Sequence, residues 1–404
     1  MVLNDGQYKI YKEALEWFKS PSSEQVFEID GLAGTGKSVL IAEILKGLNL
    51  RHDQYMPMAY TGQASIVMRS KGFPNARSIH SSLYEVVETL DRDDINSVFG
   101  KPKKKKMFRK KLFLEPQIKL FFIDEAYMVP DFMVRDILSF GIKVIVCGDA
   151  HQLPPIGGRP AFLTKPTTHH LTQLMRQSED DPIIYLANRA INGRPIHCGS
   201  YGDSVMVISD RDFFPQMLGY ADVVITGTNR IREMFNQFVR YYKGYTSIYP
   251  YFGERLICRD NNWNRQREGI ALANGLTGYC IKPAEMVENK KPVFKIDFKP
   301  DMITSVFDNI EINKEYFTAP LDKRLEFKDS FEARQFLQGE LFEYAYAITT
   351  HLSQGGEYDK GIYVEEFLKP QIQKQLLYTG ITRFKKSLII LKKNSSKFDL
   401  QNYI

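Results

Sequence analysis

The sequence has little cysteine and no long apolar segment. Four of its 404 residues are cysteines, scattered without a C-x-x-C pair, and its seven histidines show no metal-ligand spacing. This excludes a disulfide scaffold and a cysteine-based zinc site, and we expect reduced thiols in an intracellular protein. No apolar stretch approaches the roughly 18 residues of a membrane-spanning helix, and no secretory signal is visible. We therefore expect a cytoplasmic protein with no membrane partner.

Positive charge is concentrated in one segment. The formal net charge is +6, and Lys101–Lys111 alone holds eight basic residues and no acid. The rest of the chain is therefore close to neutral. A solvated charge run would explain this segment, and so would contact with a polyanion such as nucleic acid. A nuclear-targeting signal is a third interpretation.

Strand–loop–helix alternation occurs in two stretches of the chain. Apolar runs that end in polar or glycine-bearing loops are typical of parallel strands covered on both faces. In the first stretch, about residues 24–175, these runs are Val26–Ile29, Leu120–Ile123 and Val144–Cys147. In the second they are Val223–Thr226, Tyr344–Thr349, Gly361–Val364 and Ser387–Leu391, with a helix near Ile231–Tyr242. The pattern predicts an α/β fold with two parallel-sheet domains.

Two segments interrupt the alternation and predict an insertion in each domain. The first domain would comprise residues 1–84 and 118–175, interrupted by a lysine-rich insertion at 85–117. The second would comprise 176–275 and 341–404, interrupted by a small, β-rich, barrel-like insertion at 276–340. The second insertion is inferred from short apolar runs broken by Pro and Gly.

Gly31–Ser38 reads GLAGTGKS, a complete phosphate-binding loop between an apolar strand and a helical pattern. Such a loop points backbone N–H groups and the positive helix end at a phosphate. The side chain of Lys37 would reach the β- and γ-phosphates, and the Ser38 hydroxyl would ligate Mg²⁺. The sequence therefore predicts a nucleoside triphosphate and Mg²⁺ as ligands. The predicted nucleotide contacts here are Gly31, Ala33, Gly34, Thr35, Gly36, Lys37 and Ser38.

Two further strands deliver polar residues to the same sheet edge. The run Leu120–Ile123 is followed by Asp124 and Glu125. Asp124 would hold Mg²⁺, and Glu125 would polarise the attacking water. The run Val144–Cys147 is followed by a loop in which Gln152 is placed to sense the γ-phosphate.

In their order, these motifs resemble superfamily 1B helicases of the RecD and phage Dda branch, over Leu3 to about Leu391. The segments that carry the resemblance include LNDGQ at 3–7, AYTGQAS at 59–65, ARSIHS at 76–81, LTQLMR at 171–176, ITGTNR at 225–230, THLSQGGE at 350–357 and LYTGITR at 377–383. Three of these depart from the common family pattern. The segment AYT stands where the family commonly has Ala-Pro-Thr, and LSQG stands where it commonly has Lys-Ala-Gln-Gly. In the last segment, the uncommon pair Gly-Ile precedes Thr382-Arg383.

The resemblance implies a role for each matching residue. Gln7 would read the adenine edge, Arg176 would meet the γ-phosphate, Glu357 would contact the ribose, and Arg383 would act as an arginine finger. The implied DNA contacts are Thr61, Gly62, Ser78, His80, Asn229 and Thr350 or His351. Residues 85–117 lie where the family has a β-hairpin pin. Candidate base-stacking and phosphate contacts there are Phe99, Phe108, Phe113, Lys103, Lys104, Lys105 and Lys106.

The resemblance implies an ATP-dependent motor with two RecA-like domains. It would move 5′→3′ on single-stranded DNA and unwind forked duplex DNA as a monomer. A single-strand binding protein and replication or recombination proteins are further candidate partners. Three alternatives stay open: an RNA motor, since a 2′-OH contact leaves no motif, a small-molecule kinase, and a nucleic-acid module that uses ATP only as a switch.

Overall fold

The computed structural model describes residues 3–21, 24–90, 104–154, 160–164, 167–175, 180–287, 292–329, 337–368 and 370–393. Within these ranges no helix is both long enough and apolar enough to span a membrane.

The first half of the chain forms one parallel sheet of six strands. Its elements are α1 (Asp5–Lys19), β1 (Val26–Gly31), α2 (Lys37–Gly47), β2 (Tyr55–Ala59), α3 (Gly62–Ser70), β3 (Arg77–Ser78), α4 (Ile79–Leu83), β4 (Tyr84–Leu90), β5 (Lys104–Lys110), β6 (Leu120–Asp124), α5 (Asp131–Leu138), β7 (Lys143–Gly148) and β8 (His170–Leu171). The strand order is β3-β2-β6-β7-β1-β8. The predicted strands β1, β6 and β7 are adjacent and almost wholly buried. Their carboxyl ends therefore meet at one edge of the sheet.

The second half contains another six-stranded sheet and a β-rich unit. Its elements are α6 (Pro182–Ile191), β9 (Gly199–Tyr201), β10 (Val205–Ser209), α7 (Met217–Tyr220), β11 (Val223–Thr226), α8 (Asn229–Tyr242), β12 (Arg255–Cys258), β13 (Asn262–Arg267), β14 (Ile270–Leu272), β15 (Thr277–Cys280), β16 (Glu285–Met286), β17 (Val293–Pro300), β18 (Phe307–Asn313), α9 (Lys314–Thr318), α10 (Leu321–Asp329), β19 (Phe342–Tyr344), β20 (Ala347–Thr349), α11 (Thr350–Ser353), β21 (Tyr358–Glu365), α12 (Pro370–Ile381) and β22 (Phe384–Lys392).

The second sheet has the order β20-β11-β21-β22-β10-β9. All its pairs are parallel except that of the edge strand β9. The two parallel sheets confirm the predicted α/β fold. The predicted strand Tyr344–Thr349 is wrong as one strand, because Tyr344 ends β19 and Ala347 begins β20 in a different sheet. Between them the N–H of Ala345 donates to the carbonyl of Arg255 at 3.0 Å, where the chain passes from one sheet to the other.

Each parallel-sheet unit carries an additional β structure. Strands β4 and β5 pair antiparallel within the region of the first predicted insertion. In the second half, the antiparallel sheet β16-β17-β15-β12-β19, with β18 beside β17, packs around Phe294, Phe298 and Phe307. Because β12 and β19 belong to it, this sheet extends beyond the predicted 276–340 on both sides. Two short helices, α9 and α10, follow β18.

The two parallel sheets meet at the phosphate-binding loop. Leu32 and Ala33 of that loop pack against the apolar core of the second sheet. Across the same junction, the amide Nε2 of Gln354 donates to the carbonyl of Leu153 at 2.7 Å. The ligand-binding edge of the first sheet therefore faces the second sheet across a cleft, where any bound nucleotide would touch both.

Candidate active site in the cleft between the two sheets

The loop between β1 and α2 has the backbone that phosphate binding requires. Gly34 and Gly36 have φ of 81° and 77°, a left-handed conformation that glycine adopts without strain. A Cβ atom on Gly36 would also lie 2.6 Å from Nε2 of Gln7. Thr35 stabilises the turn, because its hydroxyl donates to the carbonyl of Leu32 at 2.8 Å. The glycine conformations, the close approach at Gly36 and the Thr35 hydrogen bond thus fix the loop where its N–H groups would face a phosphate.

Lys37 and Ser38 open helix α2. The ammonium of Lys37 donates to the carbonyls of Gly31 at 2.6 Å and Leu32 at 2.9 Å, so it lies within the curve of the loop. This is the space in which a P-loop lysine meets phosphate oxygens. The Ser38 hydroxyl and the Asp124 carboxylate are oxygen donors of the kind that Mg²⁺ prefers. The donor set therefore fits the predicted nucleotide and metal.

Gln7 lies behind the loop and is fully buried. Its Nε2 donates to the carbonyl of Thr35 at 3.0 Å, and its Oε1 accepts from the N–H of Asn4 at 3.1 Å in a capping box that begins α1. Both ends of the amide thus already have protein partners. The position supports a role in shaping the loop, and the adenine contact stays a prediction.

Asp124 and Glu125 follow β6 in a sharp turn. The carboxylate of Asp124 accepts from the N–H of Glu125 at 2.9 Å. Glu125 has φ 51° and ψ 41°, a left-handed conformation that costs a non-glycine residue on the order of 1–3 kcal/mol. Burial, reinforced by the charge of Asp124, raises the pKa of Glu125, while Arg383 and Lys37 oppose the rise. A carboxylate whose pKa is raised toward neutrality suits the predicted general base.

Arg383 is buried in the cleft and reaches across it from the second domain. Its Nη1 lies 3.6 Å from Oε1 of Glu125, and its Nε donates to the carbonyl of Thr379 at 3.1 Å. The predicted arginine finger and the predicted base are therefore neighbours, although they are 258 positions apart in the chain. A guanidinium so placed can stabilise negative charge that develops on a transferred phosphoryl group.

The loop after β7 is held by side chains of the second domain. The N–H of Leu153 donates to the hydroxyl of Thr379 at 3.0 Å, and Nε2 of Gln375 donates to the carbonyl of Gln152 at 3.3 Å. The side chain of Gln152 is buried, and its Oε1 has no hydrogen-bond partner among the described residues. The predicted γ-phosphate sensor thus lies at the contact between the domains.

The predicted DNA contacts of the first domain lie at helix starts. Thr61 caps α3, with its hydroxyl accepting from the N–H of Ala64 at 3.1 Å, and Gly62 is the first residue of that helix. Ser78 caps α4 through the N–H of Ser81 at 3.2 Å. His80 lies in α4, and burial lowers its pKa to about 4, so the ring is neutral at physiological pH. The lowered pKa favours the neutral imidazole, whose ring can stack or hydrogen-bond.

The corresponding residues of the second domain differ in accessibility. Asn229 begins α8 directly after the cap residue Thr228 and is half-buried. Thr350 is fully buried and donates to the carbonyl of Thr226 at 3.0 Å. Its hydroxyl is therefore used inside the fold, and the contact of Thr350 or His351 with a phosphate stays a prediction. His351 beside it is half-buried, and burial lowers its pKa.

Two family models match the chain. The model described as the AAA domain matches residues 2–208, slightly more than half of the chain. The chain belongs to the AAA domain family. The model of the UvrD-like helicase C-terminal domain matches residues 344–391, which include Glu357 and Arg383. Together the two matches identify the chain as an ATP-hydrolysing helicase of superfamily 1, as predicted. Its assignment to branch 1B and its choice of DNA stay predictions. The predicted RecD-like, Dda-like and phage-type character stays a prediction.

Solved structures share the fold over nearly the whole helicase. The Pif1 helicase from Candida albicans matches with a TM-score of 0.51 at 16% identity, covering 100% of this chain and 98% of that one. Bacteroides Pif1 in complex with ADP-AlF3 and single-stranded DNA matches with a TM-score of 0.52 at 17% identity, covering 96% and 92%. A Pif1 structure described as unwinding forked duplex DNA matches with a TM-score of 0.55 at 17% identity, covering 99% and 94%. A search of the curated proteins returns no match.

Sequence reasoning missed Tyr378 and Asp149 as members of the helicase active site. The hydroxyl of Tyr378, on α12, accepts from the N–H of Ala33 at 2.8 Å and donates to the carboxylate of Asp149. Tyr378 and Asp149 are both buried. Tyr378 lies in the segment LYTGITR, and Asp149 lies in the loop after Val144–Cys147, but only the fold shows that they meet. They link the second domain to the phosphate-binding loop.

Lys71, directly after α3, was also missed. Its ammonium is paired with the carboxylate of Glu357, the predicted ribose contact of the helicase. Burial tends to lower the pKa of Lys71, but Glu357, Asp124 and Glu125 together raise it. Lys71 therefore stays charged beside the predicted catalytic carboxylates Asp124 and Glu125. No motif marks this lysine in the sequence, so no local signal could have found it.

Several predicted contacts lie outside the described residues of the helicase. These are Phe99, Lys103 and Arg176. The backbone of β5 includes Lys104, Lys105, Lys106 and Phe108, whose side chains are likewise not described. Phe113 is described, and 86% of its surface is exposed.

Proposed function

We propose that the helicase translocates 5′→3′ along single-stranded DNA and unwinds forked duplex DNA, driven by ATP with Mg²⁺. The observation that carries this proposal is the cleft in which Lys37, Glu125 and Arg383 converge from two parallel-sheet domains. A small-molecule kinase would need no arginine from a second sheet domain. The Pif1 structure in complex with single-stranded DNA and the Pif1 structure described for unwinding at forked duplex DNA support the choice of substrate.

ATP would bind by its phosphates to the loop Gly31–Ser38, with Lys37 on the β- and γ-phosphates and Ser38 and Asp124 holding Mg²⁺. When bound, the metal would neutralise phosphate charge. Glu125 would accept the proton of the attacking water, and Arg383 would stabilise the charge that develops on the γ-phosphoryl group. Gln152 would contact the γ-phosphate. Arg176 and Glu357 would add γ-phosphate and ribose contacts, and Gln7 would contact adenine.

Movement would follow from closure and opening of the cleft. Only a triphosphate offers a γ-phosphate that attracts groups from both domains, so binding favours closure and hydrolysis releases it. On the first domain the strand would be held by Thr61, Gly62, Ser78 and His80. On the second domain it would be held by Asn229 and His351. Alternating affinity of these two surfaces would move the protein along one strand. The hairpin of β4 and β5, with Phe99, Phe108, Phe113 and the lysines 103–106, would separate the duplex.

The first test is ATP hydrolysis with single-stranded DNA, duplex DNA, single-stranded RNA or no nucleic acid. We expect strong stimulation by single-stranded DNA, and unwinding of a duplex with a 5′ tail but not a 3′ tail. A Lys37→Ala variant should be inactive under all conditions, and Lys46→Ala, on the exposed side of the same helix, serves as its control. Stimulation by RNA alone would make it an RNA motor. The absence of any stimulation would favour the kinase or the switch.

A further inference from the structure

The hairpin of β13 and β14 extends from the β-rich unit onto the first domain. Ile270 and Leu272 of this hairpin share an apolar cluster with Ile66 of α3. At the hairpin turn, Nη1 of Arg69 donates to the carbonyl of Glu268 at 2.7 Å. The hairpin is thus fixed at its tip to α3, the helix whose first residues are predicted DNA contacts.

The same hairpin places an indole ring on His80. The rings of Trp263 and His80 are stacked, with centroids 5.1 Å apart and planes at 23°. On the first-domain side, Tyr84 lies 5.7 Å and Tyr60 lies 6.2 Å from the His80 ring. Four aromatic rings from two parts of the chain therefore cluster at the edge of the first sheet. Because the imidazole is neutral, His80 presents a ring face rather than a charge.

Positive charge lies at the turn of the same hairpin. A Cβ atom on Gly269, at the hairpin turn, would lie 3.5 Å from Nη2 of Arg69 and 3.7 Å from Nε of Arg77. Arg77 is exposed. Aromatic faces next to guanidinium groups are the combination with which proteins bind single-stranded nucleic acid, the rings taking bases and the cations taking phosphates.

We propose that Trp263 is a base-stacking residue: a nucleobase of the bound single strand stacks on the half-buried indole, on the face that does not contact His80, and the hairpin of β13 and β14 covers the strand on the first domain. This inference rests on the proposed function, because it names a contact for the single strand. It assigns a nucleic-acid contact to the β-rich unit, which the motifs of the two parallel-sheet domains do not include. Stacking of this kind tolerates any base.

The fluorescence of Trp263 tests the proposal directly. The chain has two tryptophans, and the other, Trp17, is buried in the first-domain core. In a Trp17→Phe variant, titration with an oligothymidine should quench the remaining emission as the base stacks. An abasic strand of equal length, bound to saturation, should leave it unquenched. Should Trp17→Phe fail to fold, the difference between wild type and Trp263→Phe gives the same signal.

Binding of the same strands gives a second readout. Trp263→Ala should weaken binding of the oligothymidine by about 5- to 150-fold without changing the salt dependence, because stacking neutralises no phosphate. Trp263→Phe should retain most of the affinity, and Asn264→Ala, on the exposed side of the same strand, should match wild type. The abasic strand should not distinguish Trp263→Ala from wild type.

The outcomes separate this inference from the proposed function. Unchanged fluorescence at saturating oligothymidine, or equal quenching by the abasic strand, would overturn the stacking role while leaving DNA binding intact. If Trp263→Ala lost the same affinity for the oligothymidine and for the abasic strand, Trp263 would have only a structural role in holding the hairpin on the first domain. If the wild type bound no single-stranded DNA at all, the proposed function itself would fail.

Discussion

The N–H of Ala33 in the phosphate-binding loop donates to the hydroxyl of Tyr378 at 2.8 Å, across the cleft between the two domains. The same hydroxyl donates to the buried carboxylate of Asp149. One side chain of the second domain thus contacts both the loop that binds phosphate and the loop that carries Gln152. Displacement of either loop would be transmitted to α12, which also leads to Arg383.

We expect Tyr378→Phe to uncouple the domains and to destabilise the protein. The buried Asp149 would lose a hydrogen-bond donor, which costs about 1.5–3 kcal/mol for a charged acceptor. Thermal unfolding should therefore occur at lower temperature, and DNA-stimulated ATP turnover should fall. Tyr185→Phe, which removes a half-exposed hydroxyl that accepts from Arg189, is the matched control. If Tyr378→Phe had the wild-type melting temperature and the wild-type ATP turnover, Tyr378 would not couple the two domains.

Glu125→Gln should bind ATP but hydrolyse it about 10²–10⁴-fold more slowly, since a general base is lost. Because the folded-state pKa of Glu125 is raised, the folded protein takes up a proton more readily than the unfolded chain. Ionised Glu125 therefore costs stability as pH rises above the ordinary glutamate range, and Glu125→Gln should melt at or above the wild-type temperature at pH 7. Turnover should fall as pH decreases through the raised pKa. Single-turnover kinetics and thermal melts check these expectations, and unchanged turnover would exclude Glu125 as the base.

Lys71→Met should move the acid limb of the pH–rate profile to higher pH. The ammonium of Lys71 is one of the charges that lower the pKa of Glu125, so its removal should raise that pKa further. Lys71→Arg keeps the charge and should restore the wild-type profile. Turnover measured across the pH range with all three proteins tests this. A profile that stays at the wild-type position in Lys71→Met would show that the charge of Lys71 does not influence Glu125.

Arg383→Ala should reduce ATP turnover by about 10³–10⁵-fold, the usual effect of removing an arginine finger. Binding of nucleotide should change less, because the guanidinium acts mainly on charge that develops in the transition state. Lys386→Ala, an exposed cation three positions further on, is the control and should hydrolyse ATP normally. Near-normal turnover in Arg383→Ala would contradict the two-domain site.

Replacement of Lys103, Lys104, Lys105 and Lys106 by serine should weaken DNA binding and flatten its dependence on salt. Each lost phosphate contact on a single strand should reduce the slope of log affinity against log salt by about 0.7. Binding titrations at several salt concentrations measure this slope. If the serine variant and wild type bound DNA with equal affinity at every salt concentration, these lysines would be a solvated charge run without a DNA contact.

The candidate site residues that the sequence can predict are those whose chemistry depends on local order along the chain. Gly31–Ser38, Asp124 and Glu125 each lie in or directly after an apolar strand, and Gln152 lies in the loop that follows one. Parallel strands bring such ends together whatever the remaining fold. The prediction that failed concerns a strand boundary. Tyr344–Thr349 divides between two sheets because a short apolar run does not encode its partner strand. The sequence also gives no sign that the Thr350 hydroxyl donates inside the fold, to the carbonyl of Thr226.

The sequence by itself determined the α/β class, the phosphate-binding loop motif and the candidate catalytic carboxylates, because these follow from short-range patterns. Only the tertiary structure decided that Arg383 lies 3.6 Å from Glu125, that Tyr378 meets Ala33 and Asp149, and that Trp263 stacks on His80. These contacts join residues that are far apart along the chain. Their geometry depends on how whole sheets pack against one another, which no local pattern encodes.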